Sequence, residues 1–163
     1  MRILGLDPGS LHTGYGLIDR QGSTLRVVEA GRISCPRDQP LPERLALLVR
    51  ELAGLLDRLD PEAAAVESPF LGRSSRSLIV LAQARGALLA TLASRGVPAR
   101  EYSPAEVKVA VTGNGRADKT QVARMVRLLL ALPGRAASAD TTDALAIAIC
   151  CAQRQQLERV LAR

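Results

Sequence analysis

The chain has 163 residues, 47% of them hydrophobic, which suits one domain with a full core. A net charge of +6 and a pI near 10.0 point to an anionic partner such as nucleic acid. Cysteines at 35, 150 and 151 exclude a disulfide framework, a lone histidine (His12) argues against zinc, and both fit a reducing cytoplasm. Aromatic residues make up only 2%, namely Tyr15, Phe70 and Tyr102, so the core must be aliphatic. The amino terminus enters a strand without a signal-peptide pattern. The longest apolar run, 78–93, is broken by Gln83 and Arg85 and reads as too short for a bilayer, so no membrane partner is expected.

Residues 2–7 read as a buried strand stopped by Pro8-Gly9, because proline cannot donate to a ladder and glycine supplies the turn. Residues 13–19 return beside it as a hairpin, and 24–34 alternates as a third strand after the turn at Gln21-Gly22-Ser23. After a proline-rich loop, 43–59 carries Leu45, Leu48, Val49, Leu52, Leu55, Leu56 and Leu59 at helical spacing, and Asp60-Pro61 ends it. Ala63 to Glu67 reads as a buried fourth strand, followed by a polar loop over 68–75. A helix over 76–94 carries the small residues Ala82, Ala84, Gly86 and Ala87, which suit close packing on the sheet or on a partner. A fifth strand is predicted over 97–102, and Ser103-Pro104-Ala105-Glu106 has the spacing of a capping box. Thr112 to Arg116 breaks that helix, another runs from Asp118 to about Leu132, and a last begins at 138–140. The pattern predicts an α/β fold with a five-stranded mixed sheet, three antiparallel strands then two parallel, and helices packed on it.

Asp7 and Glu67 each end a predicted buried strand. Asp140 and Asp143 lie three apart at the start of a helix whose next residues, Ala144 to Ile149, are all apolar, so their turn should face the strand ends. Taken singly, the helical pair suits ordinary capping and Glu67 a surface position. Taken together, four acids in a basic chain need cations, since two like charges about 4 Å apart repel by roughly 4 kcal/mol at an effective dielectric near 20. Hard divalent ions with oxygen ligands fit, and a pair of them suits phosphodiester hydrolysis.

Leu4-Gly5-Leu6-Asp7-Pro8-Gly9-Ser10 with Thr13-Gly14-Tyr15-Gly16 resembles the opening of RuvC, the family of Holliday junction resolvases or crossover junction endodeoxyribonucleases. The likeness continues through Glu67, Phe70, Gln83-Ala84-Arg85-Gly86, Val107-Lys108, Gly113, Lys119-Thr120-Gln121-Val122, Met125-Val126 and Asp140 to Asp143-Ala144-Leu145-Ala146-Ile147-Ala148, in order over nearly the whole chain. The resemblance implies an RNase H-like fold over a single nuclease domain, 1–163, and a cytoplasmic homodimer acting in DNA recombination and repair. It implies that Asp7, Glu67, Asp140 and Asp143 bind two Mg²⁺ ions, or Mn²⁺ in their stead. The dimer would make paired, symmetric nicks across a four-way junction and work with the RuvA and RuvB branch-migration proteins.

Phe70, in a loop with Pro69 and Gly72, is either a loop anchor or, as the resemblance favours, a wedge that stacks on an unpaired base. Arg73, Arg76 and Arg116 are candidates for phosphate contacts. Only Lys108 and Lys119 among 22 basic residues are lysine, and the resemblance assigns both to DNA near the scissile phosphate. An isologous dimer through the 76–94 helix would match the pseudo-two-fold symmetry of a junction. Rival readings are a phosphotransferase of actin-like type, an RNase H-like nuclease acting on RNA or simple duplexes, and a non-catalytic junction binder.

Overall fold

The computed structural model describes residues 1–68, 75–132 and 138–161. The chain begins with β1 (Arg2–Asp7), β2 (His12–Gln21) and β3 (Thr24–Ser34), which form an antiparallel meander. β4 (Ala63–Glu67) lies parallel to β1 on its other side, and β5 (Ala99–Tyr102) lies parallel to β4. The sheet order is β3-β2-β1-β4-β5, so the mixed sheet predicted from the sequence is the one observed.

β1 is central and apolar on both faces, and the two-residue period divides its side chains. Leu4 and Leu6 join Leu17, Ala64 and Val66 in one core, under α1 (Leu41–Leu59) and α2 (Ser75–Ser94). Ile3 joins Ile18 and Ala65 in the other, under α3 (Pro104–Thr112), α4 (Lys119–Leu129) and α5 (Ala139–Leu161). The apolar run of α5 after its acidic first turn is explained by this position, with Ala144 to Ala152 all buried.

Local signals set the element ends. α1 starts at Leu41, two residues before the predicted start at 43, because proline in the first turn costs no hydrogen bond. It stops at Asp60, whose left-handed backbone lets its N–H close on the Leu56 carbonyl. The capping box at Ser103 and Glu106 opens α3, and a second, Asp118 with Gln121, opens α4. α4 ends before the predicted Leu132, at a left-handed Ala131. β5 begins only after Pro98, whose carbonyl accepts from the Ala64 N–H.

α2 departs from expectation. Its 20 residues are long and apolar enough, by length and composition, to cross a bilayer, contrary to the reading of the 78–93 run. The helix nonetheless packs into the α1 core through Ala84, Leu88 and Leu92, and its Arg85 pairs with Glu101 of β5. Only 22% of its most apolar window is buried, which leaves a face bearing Ile79 uncovered.

Candidate active site

Four acids come together through strand register and helix docking. Leu6 pairs with Val66 across the parallel β1–β4 ladder, so Asp7 and Glu67 end adjacent strands side by side. Ile3 and Ala65 face the α5 core, and the two-residue period puts Asp7 and Glu67 on that same face. On β2, Gly14 stands opposite Asp7, and on β3, Arg32 stands opposite Gly14. One transverse row of the sheet therefore reads Arg32, Gly14, Asp7, Glu67.

α5 crosses this row at its first turn, and two glycines allow the approach. A Cβ on Gly5 would meet the Ala144 carbonyl oxygen at 2.0 Å and the Ala148 nitrogen at 2.7 Å. A Cβ on Gly14 would meet the Asp140 carbonyl oxygen at 2.1 Å. The helix backbone thus lies directly on the sheet backbone, and Asp140 and Asp143 reach the strand ends because no side chain stands between.

A cleft of about 620 Å³ opens here, lined by Asp7, Glu67 and Asp143 together with Lys108, Lys119 and Arg85. Burial, and then the charges of Glu67, Asp143 and Asp140, push the Asp7 carboxyl up to about 7, against the pull of the Lys119 ammonium. Lys119 Nζ donates to Asp143 Oδ2 at 3.2 Å, and the attraction of that carboxylate raises the ammonium above its ordinary value. Asp140 is felt at Asp7 but is absent from the lining of the cleft. Its Oδ2 accepts from Arg32 Nη1 at 3.4 Å instead.

The set fits hard divalent cations by its chemistry. Its donors are all carboxylate oxygen, and an acid held at about 7 by burial and then by its acidic neighbours marks a pocket short of positive charge. As the side chains stand, no three acid, histidine or cysteine groups among the described residues converge on one ion position. Asp143 is turned to Lys119 and Asp140 to Arg32, and both would have to swing inward to share a cation with Asp7.

Among the remaining candidates, Lys108 and Lys119 line the cleft, whereas Arg116 is exposed on the adjoining loop beside Gly115. Arg76 is exposed at the start of α2 and lines a neighbouring cleft. Phe70 and Arg73 lie outside the described residues. Arg32 and Arg85 were not singled out from the sequence. Counting the β2–β3 register back from the Gly22 turn would have put Gly31 in the row of Asp7, because a bulge between Leu17 and Ile18 shifts the ladder by one and brings Arg32 there instead, while Arg85 is marked only by the Gln83-Ala84-Arg85-Gly86 stretch of the family resemblance.

The chain is similar to known proteins over nearly its whole length. The family model described as crossover junction endodeoxyribonuclease RuvC matches residues 3–151. Among similar relatives, crossover junction endodeoxyribonuclease RuvC of Chloroflexus aggregans is 46% identical over 150 residues, covering 92% of each chain. That of Alkalilimnicola ehrlichii is 45% identical over 162 residues, covering 99% of this chain and 97% of the relative. The structure of Thermus thermophilus RuvC in complex with a Holliday junction substrate superposes with a TM-score of 0.91 at 33% identity, over 97% of this chain and 96% of that one. The yeast mitochondrial Holliday junction resolvase Ydc2, at 17% identity and a TM-score of 0.69, shares the fold alone. Sequence and chain path agree along nearly the whole length, and the chain belongs to the RuvC family of crossover junction endodeoxyribonucleases.

Proposed function

We propose that this chain resolves four-way DNA junctions by paired, symmetric nicks, as a metal-dependent endonuclease of recombination and repair. The observation that carries the reading is the meeting of Asp7, Glu67 and Asp143 in one cleft, with Asp140 beside them, in a protein of net charge +6. The T. thermophilus relative, similar over nearly its whole length, is bound to a Holliday junction. Asp7, Glu67, Asp140 and Asp143 are the residues that would hold two Mg²⁺ ions, or Mn²⁺ in their place. Such ions, when bound, supply an activated water and stabilise the leaving oxygen of an in-line displacement. Asp7 and Glu67 fix the geometry from the sheet, where Asp7 is paired with Gly14 of β2 and Glu67 with Tyr102 of β5. Asp143 has to exchange Lys119 for the cation, and Lys119 and Lys108 then offer positive charge to the scissile phosphate from the same cleft.

The whole chain, 1–163, acts as one RNase H-like nuclease domain in this reading. A homodimer fits the uncovered apolar face of α2, where Ile79 is 60% exposed and a Cβ on Gly86 would meet nothing within 4 Å. A cytoplasmic location fits three cysteines that are all buried and free. Cooperation with RuvA and RuvB is expected from the family.

The experiment is a nicking assay on a mobile synthetic junction, with linear duplex and RNA–DNA hybrid as controls, with and without Mg²⁺ or Mn²⁺. Two symmetric cuts in the junction alone, dependent on the ion, are expected. Equal cutting of duplex or hybrid would favour a general RNase H-like nuclease instead. Glu67→Gln and Asp143→Asn should each lower the nicking rate by about a thousandfold or more and leave junction affinity within a few-fold, read by gel shift. Phe70→Ala should bind the junction and cut it poorly, and full cutting of every junction would remove the wedge.

A further inference from the structure

Beside the acidic cleft lies a second one, of about 350 Å³, lined by Gly9, Ser10, Arg44, Arg76, Ser77, Val80 and Leu81. The two clefts share Leu81, and the chain passes from one to the other within the turn after β1. Pro8 lines the first cleft, and Gly9 and Ser10 line the second. The chemistry changes from acidic to basic across this short step.

Arg44 projects from the first turns of α1 toward that turn. Its Nη1 lies 3.3 Å from Ser10 Oγ and 3.5 Å from the Ser10 carbonyl oxygen. Both contacts are long, so neither saturates a guanidinium with five N–H donors. Its Nε is closed off from solvent and has no acceptor among the described residues. Arg44 and Arg76 make no ion pair with an acid of the described residues, although nine other basic groups among them do, Arg32, Arg85 and Lys119 included. Two arginines and two serines thus line a concave space that no carboxylate among the described residues lines, which suits a tetrahedral oxyanion.

A chain of phosphates laid across the acids supplies such an anion at regular intervals. We propose that Arg44, held against Ser10 and helped by Arg76, seats a backbone phosphodiester adjacent to the scissile one and so sets the register of the strand over Asp7. The inference rests on the junction-cleaving reading above. It makes Arg44 a positioning residue, acting through the strand it holds.

Binding to a synthetic four-way junction, measured by fluorescence anisotropy in EDTA across a salt series, separates this role from catalysis. Arg44→Gln should make the slope of log affinity against log salt shallower by about one, and Arg44→Lys should keep the slope. Neutral methylphosphonate linkages are then placed singly at each phosphate within two steps of the cut. At one flanking position the neutral linkage should weaken the wild type several-fold and leave Arg44→Gln unaffected. Arg76→Gln, a change at an exposed side chain that the fold does not need, should lose sensitivity at the same position. An unchanged salt slope, or equal linkage effects in wild type and variants, would overturn the inference, including the case where Arg44→Gln merely lowers the melting temperature. Wild type that binds and nicks junctions without this coupling removes the phosphate seat alone, whereas wild type that binds no junction removes the functional reading as well.

Discussion

Asp7→Asn is expected to give a protein that melts higher than wild type in metal-free buffer at pH 8 and that nicks no junction. The acid pays an electrostatic cost for its position, since burial foremost and then Glu67, Asp143 and Asp140 raise its carboxyl from 3.8 to about 7. Below the unfolded value the group is protonated in both states and contributes nothing to the pH dependence. As pH rises from about 4 toward 7 the unfolded chain gives up the proton while the folded chain retains it, so stability falls. Above about 7 the whole penalty stands. The rise corresponds to at most roughly 4 kcal/mol, and relaxation around the site should reduce it to about 1–2 kcal/mol. For a chain of this size that is a gain of about 2–8 °C in Tm for the asparagine variant at pH 8, shrinking toward zero near pH 4. The nicking rate should fall by about a thousandfold or more. Melting curves from pH 4 to 8 check the first part. An asparagine variant that melts lower than wild type at pH 8 would show that the four carboxylates do not strain one another.

Gly5→Ala should be among the most damaging single-methyl changes at the described residues. The new Cβ would sit 2.0 Å from the carbonyl oxygen of Ala144, a backbone atom that can yield only if α5 lifts away from the sheet. Lifting α5 opens the core formed by Leu145, Ile147 and Ile149 and carries Asp140 and Asp143 away from Asp7. A loss of about 3 kcal/mol or more is expected, with nicking lost even in the fraction that stays folded. Gly86→Ala provides the contrast. That position lies mid-helix in α2 with nothing within 4 Å of the added methyl, so a gain approaching about 1 kcal/mol from helix propensity alone is expected for the isolated chain. Urea titrations of the two variants against wild type decide the matter. A Gly5→Ala protein of near-native stability would mean that the helix docks with far more play than its contacts suggest.

The contrast bears on what could be read from residues alone. The strand ends at Asp7 and Glu67 were legible because each closes an apolar run beside a breaker, and the acidic turn of α5 because an apolar stretch follows it. Turn chemistry made the meander legible, and the leucine stripe made α1 legible. The close docking of α5 was not, since a glycine within a strand looks the same whether it marks a bulge, a loose ladder or a helix resting on it. Nor did spacing reveal that Asp140 is held by Arg32 and Asp143 by Lys119, because those pairs join β3 and α4 to one turn of α5 through tertiary packing. In α2 apolar residues occur all round the helix, so no stripe told which side is covered. Its buried residues prove to be Ala84, Leu88, Thr91 and Leu92.

Two of the acids belong to the sheet and two to the helix laid over it, which has a consequence for how damage propagates. A slip of α5 by one residue along its axis, about 1.5 Å, would alter every sheet-to-helix separation at once while costing little buried area. Small cavities far from the chemistry, such as Ile147→Val or Ile149→Val in the middle of α5, should therefore blunt the enzyme well before they unfold it. Turnover would then serve as a finer gauge of interior packing than any melting curve.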